Sequence, residues 1–405
     1  MKYIVVLGDG MADRPLKELG GKTPLEVARK PGMDYIAREG RCGLLKTLRE
    51  GMPLGSDIAN LTIFGYDPAK YYPGGRGPLE AGSLGIKLGD KDVAFRCNLI
   101  TQKDGKIADY SGGHISTDEG RELIEAVNKR FGSENLEFYP GVGYRHILVV
   151  RNAGFDYKDL EAMPPHDIVG EQIDSNLIKA VGERGKNVVD ELNELMKSSV
   201  DFLESQPVNR ARIERGVSPA NMLWLWSSGK KPDMPLFKDK YGKKGALISA
   251  VDLLKGIASF IGLEIINVPG TNAYLDTNYS AKADYALKAL EENDFIYIHV
   301  EAPDEMGHEG RVNDKIKAIE EIDEKIVSRL LKELQGKDYV IAVLPDHATP
   351  IEVRTHTIEP VPFAIYSSKE KGDSVKDYSE KSAAKGAYGL RDGTEFMDLL
   401  FVIKK

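Results

Sequence analysis

Leu344-Pro345-Asp346-His347-Ala348-Thr349-Pro350 closes the apolar run Tyr339–Leu344, and His356-Thr357-Ile358-Glu359-Pro360 begins ten residues after Asp346. The run reads as a strand that delivers a carboxylate and two imidazoles into a proline-rich loop. An open α/β sheet presents its active site at such strand ends. Carboxylate oxygen and imidazole nitrogen are also the donors that Zn²⁺, Mn²⁺ and similar ions take. Two other runs end in the same way. Phe295-Ile296-Tyr297-Ile298-His299-Val300-Glu301 leads directly into Ala302-Pro303-Asp304-Glu305-Met306-Gly307-His308, where Asp304 and His308 reach one ion from a turn or first helical coil. Tyr3-Ile4-Val5-Val6-Leu7 ends in Gly8-Asp9-Gly10. Three strands, each ending in an aspartate, define one predicted centre.

Working outward, strands alternate with helical patterns from about residue 220, at 221–226, 246–249, 264–268, 295–301, 339–344 and 361–366. Ile316, Ile319, Ile322, Ile326 and Leu330 keep helical spacing between two of them. This alternation predicts an α/β fold with a mostly parallel sheet sandwiched by helices. The N-terminal strand joins that sheet, followed by a helix over 23–38 and a strand over 44–47. Residues 78–215 have a different grain, with a hairpin at Lys103-Asp104-Gly105-Lys106 and a helix capped by Ser116 or Thr117. They are expected to form an inserted α+β domain, with 1–77 and 216–405 as the core.

Composition narrows the function. With 405 residues, 41% hydrophobic and 29% charged, the chain can bury a sizeable core. A net charge of −8 argues against a nucleic-acid partner. No apolar run reaches the ~20 residues of a membrane span, so no membrane partner is expected. Cys42 and Cys97 lack metal-motif spacing and read as reduced and structural. A cytoplasmic enzyme acting on a small molecule is the expectation.

Asp9, Asp304, His308, Asp346, His347 and His356 exceed what one tetrahedral ion needs and suit two divalent ions, with Mn²⁺, Zn²⁺, Co²⁺ and Mg²⁺ as candidates. Ser56, in the loop Gly55-Ser56-Asp57-Ile58-Ala59-Asn60, is the candidate nucleophile, because a metal ion can ionise a serine hydroxyl; Thr62 is the reserve. His299 reads equally as a core histidine or as support for the centre, and His146 as structural. Trp224 and Trp226 read as core packing, and Arg210, Arg212 and Arg215 equally as a solvated helix face.

These motifs resemble the alkaline-phosphatase superfamily in order and spacing. Ala94-Phe95-Arg96-Cys97-Asn98-Leu99, Asp109-Tyr110-Ser111-Gly112-Gly113-His114, Gly141-Val142-Gly143-Tyr144-Arg145-His146, Pro164-Pro165-His166-Asp167 and Pro219–Trp226 extend the resemblance nearly end to end. The chain is more closely similar to the cofactor-independent phosphoglycerate mutases of the archaeal type. The resemblance implies an alkaline-phosphatase-like core and interconversion of 3-phosphoglycerate and 2-phosphoglycerate through phosphorylated Ser56. It assigns Asp9, Ser56, Asp346 and His347 to one ion, and Asp304, His308 and His356 to the other. It also implies that His114 contacts substrate, that Arg145, Arg210, Arg212 and Lys255 bind phosphate and carboxylate, and that His166 and Asp167 form an acid–base pair. The inserted domain would act as a lid that excludes water. The alternatives are a phosphatase, a phosphonate hydrolase or another phosphomutase on the same core, and a non-catalytic descendant that only binds ligand.

Overall fold

The computed structural model describes residues 1–373 and 375–401. They divide into two compact units, Met1–Tyr72 with Met234–Lys405, and Pro73–Asp233.

The first unit is built on an eight-stranded sheet. Glu264–Ile265, Gly245–Ile248, Phe295–Val300, Lys2–Gly8 and Tyr339–Leu344 lie side by side in parallel. Val361–Ser367 then runs antiparallel, and Arg41–Lys46 and Gly389–Asp392 complete the far edge. Every residue of Phe295–Val300 and Tyr339–Leu344 is buried, which is why these segments are continuous apolar runs and not alternating ones. On one face Ile4, Val6, Ile296, Ile298, Ile341 and Val343 join Ile36, Ala283, Ala286, Ala318, Ile319 and Ile322 from covering helices in a single core. On the other, Phe64 lies with its ring 4.5 Å from that of Tyr297.

Register decides where the polar residues go. Gly8 is level with Val300, and Leu7 with Leu344. The three central strands therefore end together, and the segments carrying Asp9, Asp304 and Asp346 leave the sheet at one edge. The expected helix over 23–38 is two helices, Pro24–Val27 and Pro31–Glu39. Pro31 lacks the N–H that a continuing helix needs and instead starts the second one.

The second unit carries an antiparallel sheet of Lys106–Asp109, Val93–Lys103, Arg145–Val150, Leu136–Val142 and Met222–Lys230. This corrects one expectation. The alternating pattern assigns 221–226 to the core sheet, but Met222–Lys230 pairs with Val93–Lys103. Helices Thr117–Phe131 and Lys186–Glu204 contribute Leu123, Ile124, Val127, Leu192 and Met196 to a core with Phe95, Cys97 and Leu99. Among the described residues, no helix is long and apolar enough to cross a membrane.

Beneath the strand ends, the fully buried Lys315 Nζ donates to Asp13 Oδ2 at 2.8 Å, Thr349 O at 2.8 Å and Ala12 O at 3.2 Å. One ammonium thus ties helix Val312–Ile322 to the loops leaving two central strands. Lys315→Met leaves the Asp13 carboxylate buried without its counter-charge and is expected to cost about 3–5 kcal/mol in urea unfolding. A loss under about 1 kcal/mol, the scale of an exposed pair, would contradict this strut.

Candidate metal centre

Asp9 sits just past the Lys2–Gly8 strand, 1% exposed, and Gly10 follows with φ +58°. A Cβ on Gly10 would lie 2.4 Å from Asp304 Oδ1 and 2.5 Å from Thr349 Oγ1, so only glycine lets the three strand ends converge this closely. Asp346 Oδ1 accepts from the backbone N–H of His347 at 3.0 Å and of Gly10 at 3.2 Å. Its Oδ2 accepts from Asn60 Nδ2 at 2.9 Å. Asn60 lies one turn along helix Ser56–Ile63. It also donates to Ser56 O at 2.8 Å and accepts from Tyr297 Oη at 2.7 Å, so the serine's helix is pinned to the sheet.

The hydrogen bonds on the far side of each imidazole set its tautomer. His308 Nδ1 donates to Arg354 O at 3.0 Å, and His356 Nδ1 donates to Leu54 O at 2.8 Å. A carbonyl oxygen only accepts, so both protons are on Nδ1 and both Nε2 atoms present lone pairs in the neutral rings. Those Nε2 atoms are 3.0 Å apart, and His308 Nε2 is 3.2 Å from Asp304 Oδ2. The Thr349 hydroxyl donates to Asp304 Oδ1, leaving Thr349 Oγ1 to accept from His347 Nδ1 at 3.2 Å. His347 Nε2 then faces Ser56 Oγ at 3.1 Å and Asp9 Oδ1 at 3.3 Å. Asp9 Oδ1 is buried and makes no hydrogen bond.

Acceptors therefore converge on acceptors, and only a cation satisfies them together. Asp304, His308 and His356 bring ligand atoms within 4.8 Å of one another, as do Asp9, Asp304 and His347. The same arrangement shifts the affinity of these groups for protons. The Asp304 hydrogen bond, against burial, raises His308 to about 9. His356 is raised too: burial works against it, but Asp304 outweighs it. Burial holds His347 low, while burial and then Asp346 and Asp304 push Asp9 well above the carboxylate range. Burial would raise Asp304 as well, but the two imidazoles bonded to it hold it well down. The donor set of oxygen and imidazole nitrogen fits borderline divalent ions.

The remaining predicted residues divide between the two units. Lys255, on helix Asp252–Ile261, is partly buried with Nζ 3.7 Å from Asp252 Oδ1. In the Pro73–Asp233 unit, His114 is exposed at φ +49° and Arg145 and Arg210 are exposed. His166 Nε2 is 3.6 Å from Asp167 Oδ1, and both are exposed. Arg212 is 3% exposed and donates to Glu119 Oε2, Gly112 O, Gly113 O and Ser218 O, so it braces the loop before His114.

Sequence reasoning passed over Arg96. It is 7% exposed, lies 4.3 Å over the Trp226 ring, and places Nε 3.1 Å from Glu80 Oε1. Burial, then the nearby Arg76 and Arg145, lower its pKa. A charged residue inside the apolar run Val93–Ile100, with Asn98 two positions on, was the available signal. Trp226 Nε1 donates to that Asn98 at 3.1 Å, so this tryptophan carries a polar cluster as well as packing.

Comparison with known proteins places the chain. The family model for 2,3-bisphosphoglycerate-independent phosphoglycerate mutase matches residues 37–209. A protein of Methanosarcina barkeri bearing that name is 49% identical over 408 residues, covering 100% of both chains. Another, from Methanosarcina acetivorans, is 50% identical over 404 residues and 99% of each. The solved cofactor-independent phosphoglycerate mutase of Thermoplasma acidophilum superposes with a TM-score of 0.72 at 28% identity over 100% of both chains. Fold and site define an α/β protein with a polar centre at the ends of parallel strands. The chain belongs to the 2,3-bisphosphoglycerate-independent phosphoglycerate mutase family.

His146 offers a test of the second unit. Its Nδ1 accepts from Gly141 N at 3.1 Å, and burial lowers its pKa from 6.5 to about 3. Between those values the unfolded chain binds the proton and the folded chain does not, so stability falls as pH falls. His146→Asn is expected to flatten the pH dependence of thermal unfolding below pH 6.5 by up to about 1.4 kcal/mol per pH unit. Parallel wild-type and variant profiles would contradict it.

Proposed function

We propose that the protein is an isomerase that interconverts 3-phosphoglycerate and 2-phosphoglycerate without 2,3-bisphosphoglycerate, through a phosphoserine at Ser56. The observation that carries this is Ser56 Oγ, 3.1 Å from the lone pair of His347 Nε2 at the edge of a centre that calls for cations. Full-length relatives near half identity, named for this activity, support it.

Asp9, Ser56, Asp346 and His347 would hold one divalent ion, and Asp304, His308 and His356 a second. Bound there, such ions supply a lower pKa for the serine hydroxyl and counter-charge for the equatorial phosphoryl oxygens. Ser56 opens helix Ser56–Ile63, so the helix dipole favours a dianion on its side chain. Asn60 holds that helix against Asp346, which would keep Oγ fixed for attack. The Oγ–phosphorus bond forms as the bond from phosphorus to the substrate's C3 oxygen breaks. Glycerate then presents its C2 oxygen to the same phosphorus, and the Oγ–phosphorus bond breaks in turn. His114 and Arg145 are proposed to contact the substrate's anionic groups, with Arg210 and Lys255 as further cations and His166 and Asp167 as the acid–base pair.

The divalent-ion-loaded protein given 3-phosphoglycerate alone is expected to form 2-phosphoglycerate, with free phosphate only in trace. Ser56→Ala should lower the rate at least ~1,000-fold. Free phosphate in place of 2-phosphoglycerate would make the protein a hydrolase, and an absolute need for 2,3-bisphosphoglycerate would contradict the phosphoserine route. A strong chelator should abolish turnover, and a divalent ion should restore it. Full activity in chelator would contradict the ligand assignments.

A further inference from the structure

Arg96, in the Pro73–Asp233 unit, is a buried cation without acceptors. It is 7% exposed, yet none of its N–H groups donates a hydrogen bond among the described residues, and its Nε is enclosed. Glu80 Oε1 stands 3.1 Å from Nε and supplies charge, but off the line of the N–H bond. Arg212, the other deeply buried arginine of this unit, instead sets its guanidinium on Glu119 Oε2 and three carbonyl oxygens. Structural arginines are satisfied in that way. Burying a guanidinium with idle donors is costly, so a structural role does not account for Arg96.

The local backbone aims this side chain. Ser227 and Ser228 stand opposite Phe95 alone, a bulge in the pairing of Met222–Lys230 with Val93–Lys103, and Ser227 sits at φ +51°. Bulges re-aim the side chains beside them, and a serine held at positive φ is strain that the surrounding structure must sustain. Phe95, Cys97 and Leu99 enter the core, so strand alternation puts Arg96 and Asn98 on the other face. Trp226, level with Arg96, covers the guanidinium at 4.3 Å and donates Nε1–H to Asn98 Oδ1 at 3.1 Å. That bond orients the amide and leaves Asn98 Nδ2 as a donor without an acceptor among the described residues. Arg145, level with Asn98 on the next strand, is exposed and makes no ion pair among the described residues.

We propose that Arg96, with the Asn98 amide and Arg145 beside it, binds the substrate's carboxylate and so selects a phosphorylated hydroxy acid over a phosphorylated alcohol. A guanidinium laid flat on an indole keeps its edge free, and the planar fork of donors on that edge matches the two oxygens of a carboxylate. The carboxylate is also the group that 3-phosphoglycerate, 2-phosphoglycerate and glycerate share. One anchor therefore serves all three while the phosphoryl group is away on the enzyme.

The proposal rests on the mutase reading above, and the test separates the two. The metal-loaded full chain is titrated with D-glycerate, glycerol and inorganic phosphate while tryptophan emission is followed, because Trp226 lies against the guanidinium. Glycerate is expected to shift the emission saturably, and glycerol to leave it unchanged. Arg96→Met should weaken glycerate at least ~10-fold and raise the KM for 3-phosphoglycerate by a similar factor, with Arg96→Lys in between. Equal glycerate affinity in Arg96→Met, or a response to phosphate in place of glycerate, would overturn the carboxylate site and leave the mutase reading standing. Glycerate binding that depends on Arg96, in a protein that forms no 2-phosphoglycerate, would sustain the site and overturn the mutase reading. Wild-type crystals grown with D-glycerate decide the matter if the variants fail to fold. Carboxylate oxygens about 2.7–2.9 Å from the Arg96 nitrogens are expected, and glycerate seated elsewhere would overturn the proposal.

Discussion

The structure turns on a shortage of donors at one edge of a sheet. His308, His347 and His356 each direct Nδ1 to an oxygen that accepts, which leaves three Nε2 lone pairs among the carboxylates of Asp9 and Asp304. Such a cluster is unstable in a protein interior unless positive charge enters it. Protons can supply that charge in part, as the raised His308 and His356 indicate. Divalent cations supply it fully and bring phosphoryl chemistry with them.

The rest of the first unit serves that convergence. Level registers bring three strand ends to one edge, and Gly10 removes the Cβ that would hold them apart. Lys315 fastens the loops from below, while Asn60 links the serine's helix to Asp346. Ser56 Oγ thereby reaches the centre from a separate segment of chain, without a loop of its own. For the proposed phosphoserine route, a hydroxyl carried on a pinned helix is better placed for in-line attack than one on a free loop.

Much of this was legible in the sequence because buried parallel strands announce themselves. Continuous apolar runs ending in Asp9, Asp304 and Asp346 showed both the sheet and the edge at which these carboxylates gather. What sequence could not show was pairing between distant segments. Met222–Lys230 has the same apolar character as the core strands, and only its partner Val93–Lys103 assigns it to the other sheet. Arg212 looked like a surface cation because its acceptors, Gly112 O and Gly113 O, lie a hundred residues away. Arg96 was hidden inside an apolar run, where a polar residue reads as core until its neighbours are known. Thr349 carried no motif, yet its hydroxyl sets the tautomer of His347.

The tautomers themselves are the most direct measurement. Selective ¹⁵N labelling of histidine, with spectra recorded before and after Zn²⁺ loading, reports which nitrogen carries the proton and which meets the metal. Three imidazoles should appear protonated on Nδ1 with Nε2 shifted by the ion, and those resonances should vanish one by one in His308→Ala, His347→Ala and His356→Ala. Protons on Nε2 of those three rings in the loaded protein, or spectra unchanged by Zn²⁺, would contradict the account at its root.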